Sequence, residues 1–272
     1  MPTNGEIRVV KKPTGTLGPN KVTVQPDGII AHSFEKIAFP KEKNAVEEVI
    51  VSNFISSMND LMSQSRMKWF MSEPIQNSEN DFDFTITLPN GSKAWLELME
   101  IAPLELFGGY DKVPGKYKPY DLAKIITSMI MKKAVRYSGS IGKELHLLTY
   151  ITHWAFTPSE SLINLLRVFI AQERHPFAGV YLYSPLELGV GTGKVLALGD
   201  ANLHAGFNPE EYKDNTVINL DPTKFQLVQG SVDSSPAKPM LLVVDGEQKN
   251  VHERNVSLSC ESDHRTTKIE GL

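Results

Sequence analysis

Two stretches of alternating apolar and polar residues lie on either side of Asn90–Gly91, and they constrain the fold more than any other feature of this sequence. The first runs from Asp81 to Leu88 and the second from Lys93 to Ile101. Alternation with a period of two is typical of β-strands, and Asn-Gly is a preferred pair for the tight turn between antiparallel strands. The sequence therefore predicts a β-hairpin here.

Helical patterns occur before and after this hairpin. Apolar residues recur every three to four positions in residues 40–64, which predicts an amphipathic helix. A second helix is expected from an N-cap at Asp121 to about Gly139. A third is expected after Thr157, with Pro158 in its first turn.

Strand patterns complete the element order. Two nearly continuous apolar runs, residues 145–152 and 177–183, are typical of strands buried on both faces of a sheet. The elements of residues 40–184 therefore predict an α/β sandwich with a mixed sheet. Short apolar runs interrupted by proline and glycine predict a β arm in residues 1–39 and a β-rich C-terminal extension in residues 185–272.

Composition limits the functional classes. The chain has 272 residues, of which 41% are apolar, and this is enough to bury a sizeable core. A formal net charge of -4 indicates neither a nucleic-acid nor a membrane partner, and the single cysteine allows no intrachain disulfide. No run approaches the roughly 18 apolar residues of a membrane helix. We therefore expect a cytoplasmic protein whose binding properties come from local features.

Acidic residues occur at three points of the element order. They are Glu47 and Glu48 on the first helix, Asp81 and Asp83 on the first hairpin strand, and Glu97 and Glu100 on the second. An unpaired carboxylate is costly in a strand as apolar as Trp-Leu-Glu-Leu-Met, so Glu97 is expected to have a partner or a ligand. Glu100 lies on the opposite strand face and is the less favoured candidate. Two carboxylates on adjacent strands can hold Mg²⁺, which takes few protein oxygens and keeps several waters.

This arrangement resembles the restriction-endonuclease-like, or PD-(D/E)xK, nuclease family over residues 40–184. In that family an Asp on one strand sits beside a Glu-x-Lys on the next. The resemblance implies a mixed-sheet restriction-endonuclease-like sandwich and a nuclease that hydrolyses phosphodiester bonds with Mg²⁺ or Mn²⁺. It implies that the partner is nucleic acid, with DNA preferred over RNA. It also implies a role in defence against foreign DNA or in a mobile element.

The resemblance also assigns roles to individual residues. Asp83 and Glu97 would be catalytic and would hold the metal, and the backbone carbonyl of Leu98 would be a further ligand. A helix glutamate, Glu48 in preference to Glu47, would supply another ligand or hold a water.

The sequence departs from the family motif at Met99, which stands where the family has its lysine. Methionine can neither activate water nor balance the charge of a phosphate. Lys93 is on the same strand face but lies four residues from the glutamate, about 13 Å away. In some members of the family the neighbouring helix supplies the lysine. Lys124 is the first candidate for this role, ahead of Lys132 and Lys133.

A basic segment follows the hairpin. Residues 110–143 contain eight basic and two acidic residues, and Tyr110, Tyr117 and Tyr120 lie among the lysines. This composition suits phosphate contacts and base stacking, although an ordinary solvated lysine face would have it too. The candidate substrate-binding residues are Lys116, Lys118, Lys132 and Lys133.

Two further functional hypotheses stay open. Met99 is compatible with a catalytically degenerate nuclease-fold protein that binds nucleic acid or a protein partner, in which case the lysines matter and the acids do not. The other hypothesis is a structural or assembly subunit that uses its β-rich C-terminal part for contacts. Dimerisation is common among relatives that cut both strands, but no residue here identifies a homodimer interface.

Overall fold

The computed structural model describes most of the chain between the two termini. The described residues are 14–24, 30–64, 72, 74–77, 82–88, 90–140, 144–187, 192–199, 206–227 and 242–244. Asp81, at the start of the predicted hairpin, lies outside them. Within the described residues the protein is mixed α/β, and none of its helices is long and apolar enough to cross a membrane.

The helices and strands are labelled in chain order. The α-helices are α1 (Lys43–Gln64), α2 (Leu104–Phe107), α3 (Pro119–Arg136) and α4 (Glu160–Gln172). The strands are β1 (Asn20–Val24), β2 (Ile30–Phe34), β3 (Ile75–Gln76), β4 (Phe84–Thr87), β5 (Lys93–Glu100), β6 (Lys116–Tyr117), β7 (Leu145–Tyr150), β8 (Gly179–Glu187), β9 (Thr192–Ala197), β10 (Val217–Ile218), β11 (Phe225–Leu227) and β12 (Leu242–Val244).

A six-stranded mixed sheet forms the centre of the protein, with the strand order β3-β4-β5-β7-β8-β9. The predicted hairpin is confirmed, because β4 pairs antiparallel with β5 and Phe84 lies opposite Leu96. Strands β5, β7 and β8 are parallel, and α3 and α4 connect them. The mixed sheet predicted from the element order is therefore present.

Helices cover both faces of the sheet. Successive residues of β7 point to opposite faces, so Leu148 joins the core beneath α1 and Leu147 joins the core beneath α3 and α4. Ile50 and Phe54 are the central residues of α1 in the first core, and both are fully buried. The two cores place the hairpin between α1 on one side and α3 on the other.

The predicted starts of two helices were wrong by a few residues. Helix α3 begins at Pro119, with Lys118 at the N-cap position, so Asp121 is within the first turn and is not the cap. Proline suits the first turn because its fixed φ is helical and it has no N–H to satisfy. Helix α4 begins at Glu160 after the N-cap Ser159, whose hydroxyl accepts a hydrogen bond from the Leu162 N–H at 3.3 Å. Pro158 therefore precedes the helix.

The described parts of the two terminal regions contain short strand pairs and one strand of the central sheet. Strands β1 and β2 pair antiparallel in the region predicted to be a β arm. The boundary predicted at residue 184 falls inside β8, which continues to Glu187 and pairs antiparallel with β9. Further along the chain, β10 pairs with β6 and β11 pairs with β12. Part of the predicted β-rich extension is thus the sixth strand of the central sheet.

Candidate active site

The candidate site lies where β4 and β5 separate. Their backbone ladder ends at the pair Phe84 and Leu96. Just before β4, the Oδ2 atom of Asp83 accepts a hydrogen bond from the backbone N–H of Leu98 at 2.7 Å. The carboxylate thus takes the place of a strand partner, and this contact fixes it beside β5.

Glu97 lies on the α3 side of β5 and is only 5% exposed. Its Oε1 atom is 2.7 Å from the Nζ atom of Lys133, which also donates a hydrogen bond to the backbone carbonyl of Leu98. The hydroxyl of Tyr137, at the end of α3, is hydrogen-bonded to Glu97 as well. Burial raises the pKa of Glu97, while Lys133 and Tyr137 act in the opposite direction.

Helix α1 brings a third carboxylate to the site. Glu47 is 6% exposed and its Oε1 atom is 3.1 Å from the Nζ atom of Lys43. Burial raises the pKa of Glu47, and the negative charge of Asp83 adds to this shift. Glu48 was the predicted helix residue, but it is exposed. The buried glutamate is Glu47 because it is in helical phase with the residues of α1 that pack on the sheet.

Lys133 is the lysine that reaches the site, whereas Lys124 is the first candidate from the sequence. Lys124 is exposed, and its Nζ atom lies 4.4 Å from the centre of the Tyr120 ring. The two lysines are nine residues apart, which at about 100° per residue places them on opposite sides of α3. Met99, in the motif position of the lysine, packs against the core on the α3 side.

The four lysines proposed to bind substrate do not form one patch. Lys116 is exposed on β6, and Lys132 is exposed on α3. The Nζ atom of Lys118 is 3.0 Å from Asp214, an ion pair on the surface. Lys133 has a side chain only 17% exposed and points into the carboxylate site.

The oxygen atoms at the site are of the type that Mg²⁺ or Mn²⁺ takes. Asp83 and Glu97 provide two carboxylates, and Leu98 provides a backbone carbonyl. Within the described part of the chain, no group of three or more His, Cys, Asp or Glu side chains is placed to hold a metal ion. A cation here would therefore have two carboxylates, one carbonyl and waters, which is the ligand set expected for magnesium.

A second polar cluster lies at the carboxyl ends of β5 and β7, and sequence reasoning identified only one of its members, Glu100, as a less favoured candidate. The Oε1 atom of Glu100 accepts hydrogen bonds from the hydroxyls of Tyr110 at 2.7 Å and Thr152 at 2.5 Å. The ring of Tyr110 stacks on His153 with 4.7 Å between the ring centres. Burial raises the pKa of Tyr150, and the charges of Glu100 and Asp83 both add to this shift, so Tyr150 is within electrostatic reach of both groups.

No family model matches this chain, and comparisons with curated proteins and with solved structures found no match either. The geometry of the site is therefore the basis for the functional argument.

Proposed function

We propose that this protein is a metal-dependent nuclease of restriction-endonuclease-like fold that hydrolyses phosphodiester bonds, with DNA as the first substrate to test. The observation that carries the proposal is the meeting of Asp83, Glu97 and the Leu98 carbonyl with a lysine from α3. The order of helices and strands from α1 to β8 supports the fold assignment. Lys133 supports catalytic activity because its ammonium group supplies the positive charge that the side chain of Met99 cannot provide.

Asp83, Glu97 and the carbonyl of Leu98 would hold Mg²⁺ or Mn²⁺, which when bound polarises the phosphate and lowers the pKa of an attacking water. Lys133 has three N–H donors, and it gives two of them to Glu97 and Leu98. The third can donate to a phosphate oxygen and stabilise the negative charge that grows there during hydrolysis.

Glu47 is suited to accept a proton from water. Its raised pKa brings the carboxylate closer to the working pH, and this strengthens it as a general base. Lys43 lies at the start of α1 with an exposed side chain and is electrostatically coupled to Asp83 and Glu97. It is placed to contact a phosphate of the substrate beside the carboxylates.

The test is a cleavage assay with single- and double-stranded DNA and RNA in Mg²⁺, Mn²⁺ or EDTA. We expect cleavage only with a divalent metal, and a loss of at least about 10³-fold in the double variant Asp83→Asn/Glu97→Gln, because both carboxylates act on the same metal. Glu48→Gln is the matched control, since it removes one exposed carboxylate of the same helix that carries Glu47. Metal-dependent cleavage that survives the double variant would disprove the proposal.

One observation favours the alternative of a degenerate nuclease-fold protein that binds nucleic acid without cutting it. The ammonium group of Lys133 already balances the charge of Glu97 and contacts the Leu98 carbonyl, so both groups have a partner that is not a metal. This alternative predicts binding that weakens steeply with salt, needs no divalent metal and is unchanged in the double variant.

A further inference from the structure

A cavity of about 1010 Å³ lies beside the carboxyl ends of β5 and β7. One wall comes from residues 14–16 and 36–39, on either side of the β1–β2 hairpin, and the other wall comes from residues 104–111. His153 lies between the two walls. The volume is at the upper end of the range of small-molecule sites, so the cavity has room for a nucleobase and its sugar.

This cavity adjoins the candidate active site. Tyr110 lines it, and the hydroxyl of Tyr110 donates to Glu100, which lies three residues beyond Glu97 on β5. Three residues of a strand span about 10 Å. The cavity therefore begins about 10 Å along β5 from Glu97, and Glu100 projects to the opposite face of the strand.

His153 offers a hydrogen-bond donor to a ligand in the cavity. Its Nδ1 atom accepts a hydrogen bond from the Ala155 N–H at 3.2 Å, so the neutral ring carries its proton on Nε2. Burial lowers the pKa of His153 to about 4, so the ring is neutral at neutral pH.

The other lining groups disfavour a phosphate and favour an uncharged ring. Lys36 is the basic residue in the lining, whereas Glu105 and Asp111 are both acidic. Phe39 and Tyr110 supply aromatic surface for stacking. A flat heterocycle with donors and acceptors on its edge matches this combination of rings, carboxylates and one N–H donor.

We propose that this cavity binds one unpaired nucleobase of the nucleic-acid substrate, next to the phosphate that the Asp83–Glu97 site holds. The proposal rests on the proposed function and adds to it a preference for substrates with an unpaired base. Drawing a base out of a duplex costs a few kcal/mol, and a base that is already unpaired avoids this cost.

The experiment measures binding of three short DNA duplexes to the full chain in EDTA. The first is fully paired, the second has one bulged adenine, and the third has a bulged abasic site in the same place. We expect the adenine bulge to bind about 10-fold more tightly than the abasic bulge, since stacking of a base on aromatic side chains strengthens binding by about this factor or more. The abasic bulge separates recognition of the base from the flexibility of a bulged backbone.

Two variants connect this preference to the cavity. Ala38 is exposed and lines the cavity, so Ala38→Trp places an indole ring in it without disturbing a core. It should abolish the preference for adenine, while Ala171→Trp on the exposed end of α4 should keep it. His153→Phe keeps the ring that stacks on Tyr110 but removes the Nε2 donor together with the Nδ1 acceptor of the Ala155 N–H, and we expect it to reduce the preference by several-fold.

The outcomes separate the two proposals. Equal affinity for the two bulges, or a preference that survives Ala38→Trp, would overturn the base-binding cavity whatever the cleavage assay gives. A preference that is lost in Ala38→Trp supports the cavity even if no metal supports cleavage, and in that case only the nuclease assignment fails. Absence of binding to all three duplexes at low salt would overturn the base-binding cavity, and the nuclease assignment would then depend on the cleavage assay alone.

Discussion

The Asp83–Glu97 site and the basic segment of residues 110–143 both contain many charged groups, but these groups are arranged differently in the fold. In the site, groups from a turn, a strand and a helix meet at 2.7 Å contacts among buried residues. In the segment, lysines that are close in sequence are spread over β6 and α3 and face different directions. The side chain of Lys133 is 17% exposed, whereas that of Lys118 is 44% exposed.

A high density of charged residues along a segment therefore does not by itself predict a charged binding surface. An isolated exposed lysine is screened by water and salt, and its ion pairs contribute little. A lysine held among buried carboxylates acts in a lower dielectric, where each charge has a larger effect. We therefore expect the substitutions with the largest effects at the buried site and those with the smallest effects on the segment.

Among the single substitutions, Lys133→Met is expected to reduce cleavage the most. This change removes the only α3 cation that contacts Glu97 among the described residues, while the methionine keeps most of the apolar stem. We expect a loss of cleavage of at least about 10²-fold, the scale found when one charge-stabilising donor is removed from an active site. Single-turnover cleavage with saturating metal measures the loss.

Lys124→Met is the matched control, because it makes the same change on the opposite side of the same helix. We expect it to alter cleavage by less than about 3-fold, as is typical of an exposed lysine. Equal losses in the two variants would show that α3 contributes general positive charge, and the distinction between the two regions would then be wrong.

Much of the fold could be predicted from the sequence because its signals are local. The hairpin follows from alternation around Asn90–Gly91, and α1 follows from its helical period. The boundary at residue 184 could not be placed, because the pairing of β9 with β8 depends on contacts across the sheet and not on composition. The polar cluster joins Glu100 to Tyr110 and to Thr152. Since Glu100 and Thr152 are 52 residues apart in sequence, no local pattern predicts that they meet.

The site residues were partly predictable, and the two helix residues that differ from the predicted ones differ for a common reason. Glu48 and Lys124 do not share the helical phase of the residues that pack on the sheet, whereas Glu47 and Lys133 do. Glu47 precedes Ile50 by three residues and Phe54 by seven, so it shares their face of α1. Lys133 follows Ile126 by seven residues, or two turns, and shares its face of α3. Both residues could have been selected from the periodicity alone.

Glu47→Gln is expected to reduce cleavage by a smaller factor than Lys133→Met does. It is also expected to raise stability. Cleavage should fall about 10-fold or more because a positioned general base is lost. Because the pKa of Glu47 is raised, stability falls as the pH rises from the ordinary pKa of a glutamate through the raised pKa, and the cost is complete above it. Removing the charge should therefore raise Tm at neutral pH, by about 2–4 °C for each 1 kcal/mol regained in a protein of this size.

Glu48→Gln provides the comparison, because Glu48 is exposed on the same helix. We expect cleavage and Tm to stay close to those of the unsubstituted protein, as for most surface substitutions. A lower Tm for Glu47→Gln would mean that its pair with Lys43 outweighs the cost of burial, and the site would then stabilise the fold.

A pH-dependent effect is expected for Tyr137→Phe. The hydroxyl of Tyr137 lowers the pKa of Glu97, so its removal should raise that pKa further. Glu97 must be ionised to bind a metal, and the acid limb of the pH–rate profile should therefore move to higher pH. We expect a loss of several-fold at mildly acidic pH and little change at mildly alkaline pH. A uniform loss at every pH would indicate a structural role for the hydroxyl.

The smallest effects are expected for single lysines of the basic segment. Lys116→Ala and Lys132→Ala should each weaken DNA binding by only a few-fold and reduce the slope of log K against log salt by about 1, because each removes at most one phosphate contact. Lys194→Ala is the control, since it removes an exposed lysine from β9 at the edge of the sheet. An equal change in all three variants would mean that the protein's overall charge, and not this segment, governs binding. A 10-fold loss in either segment variant would make that lysine a specific contact.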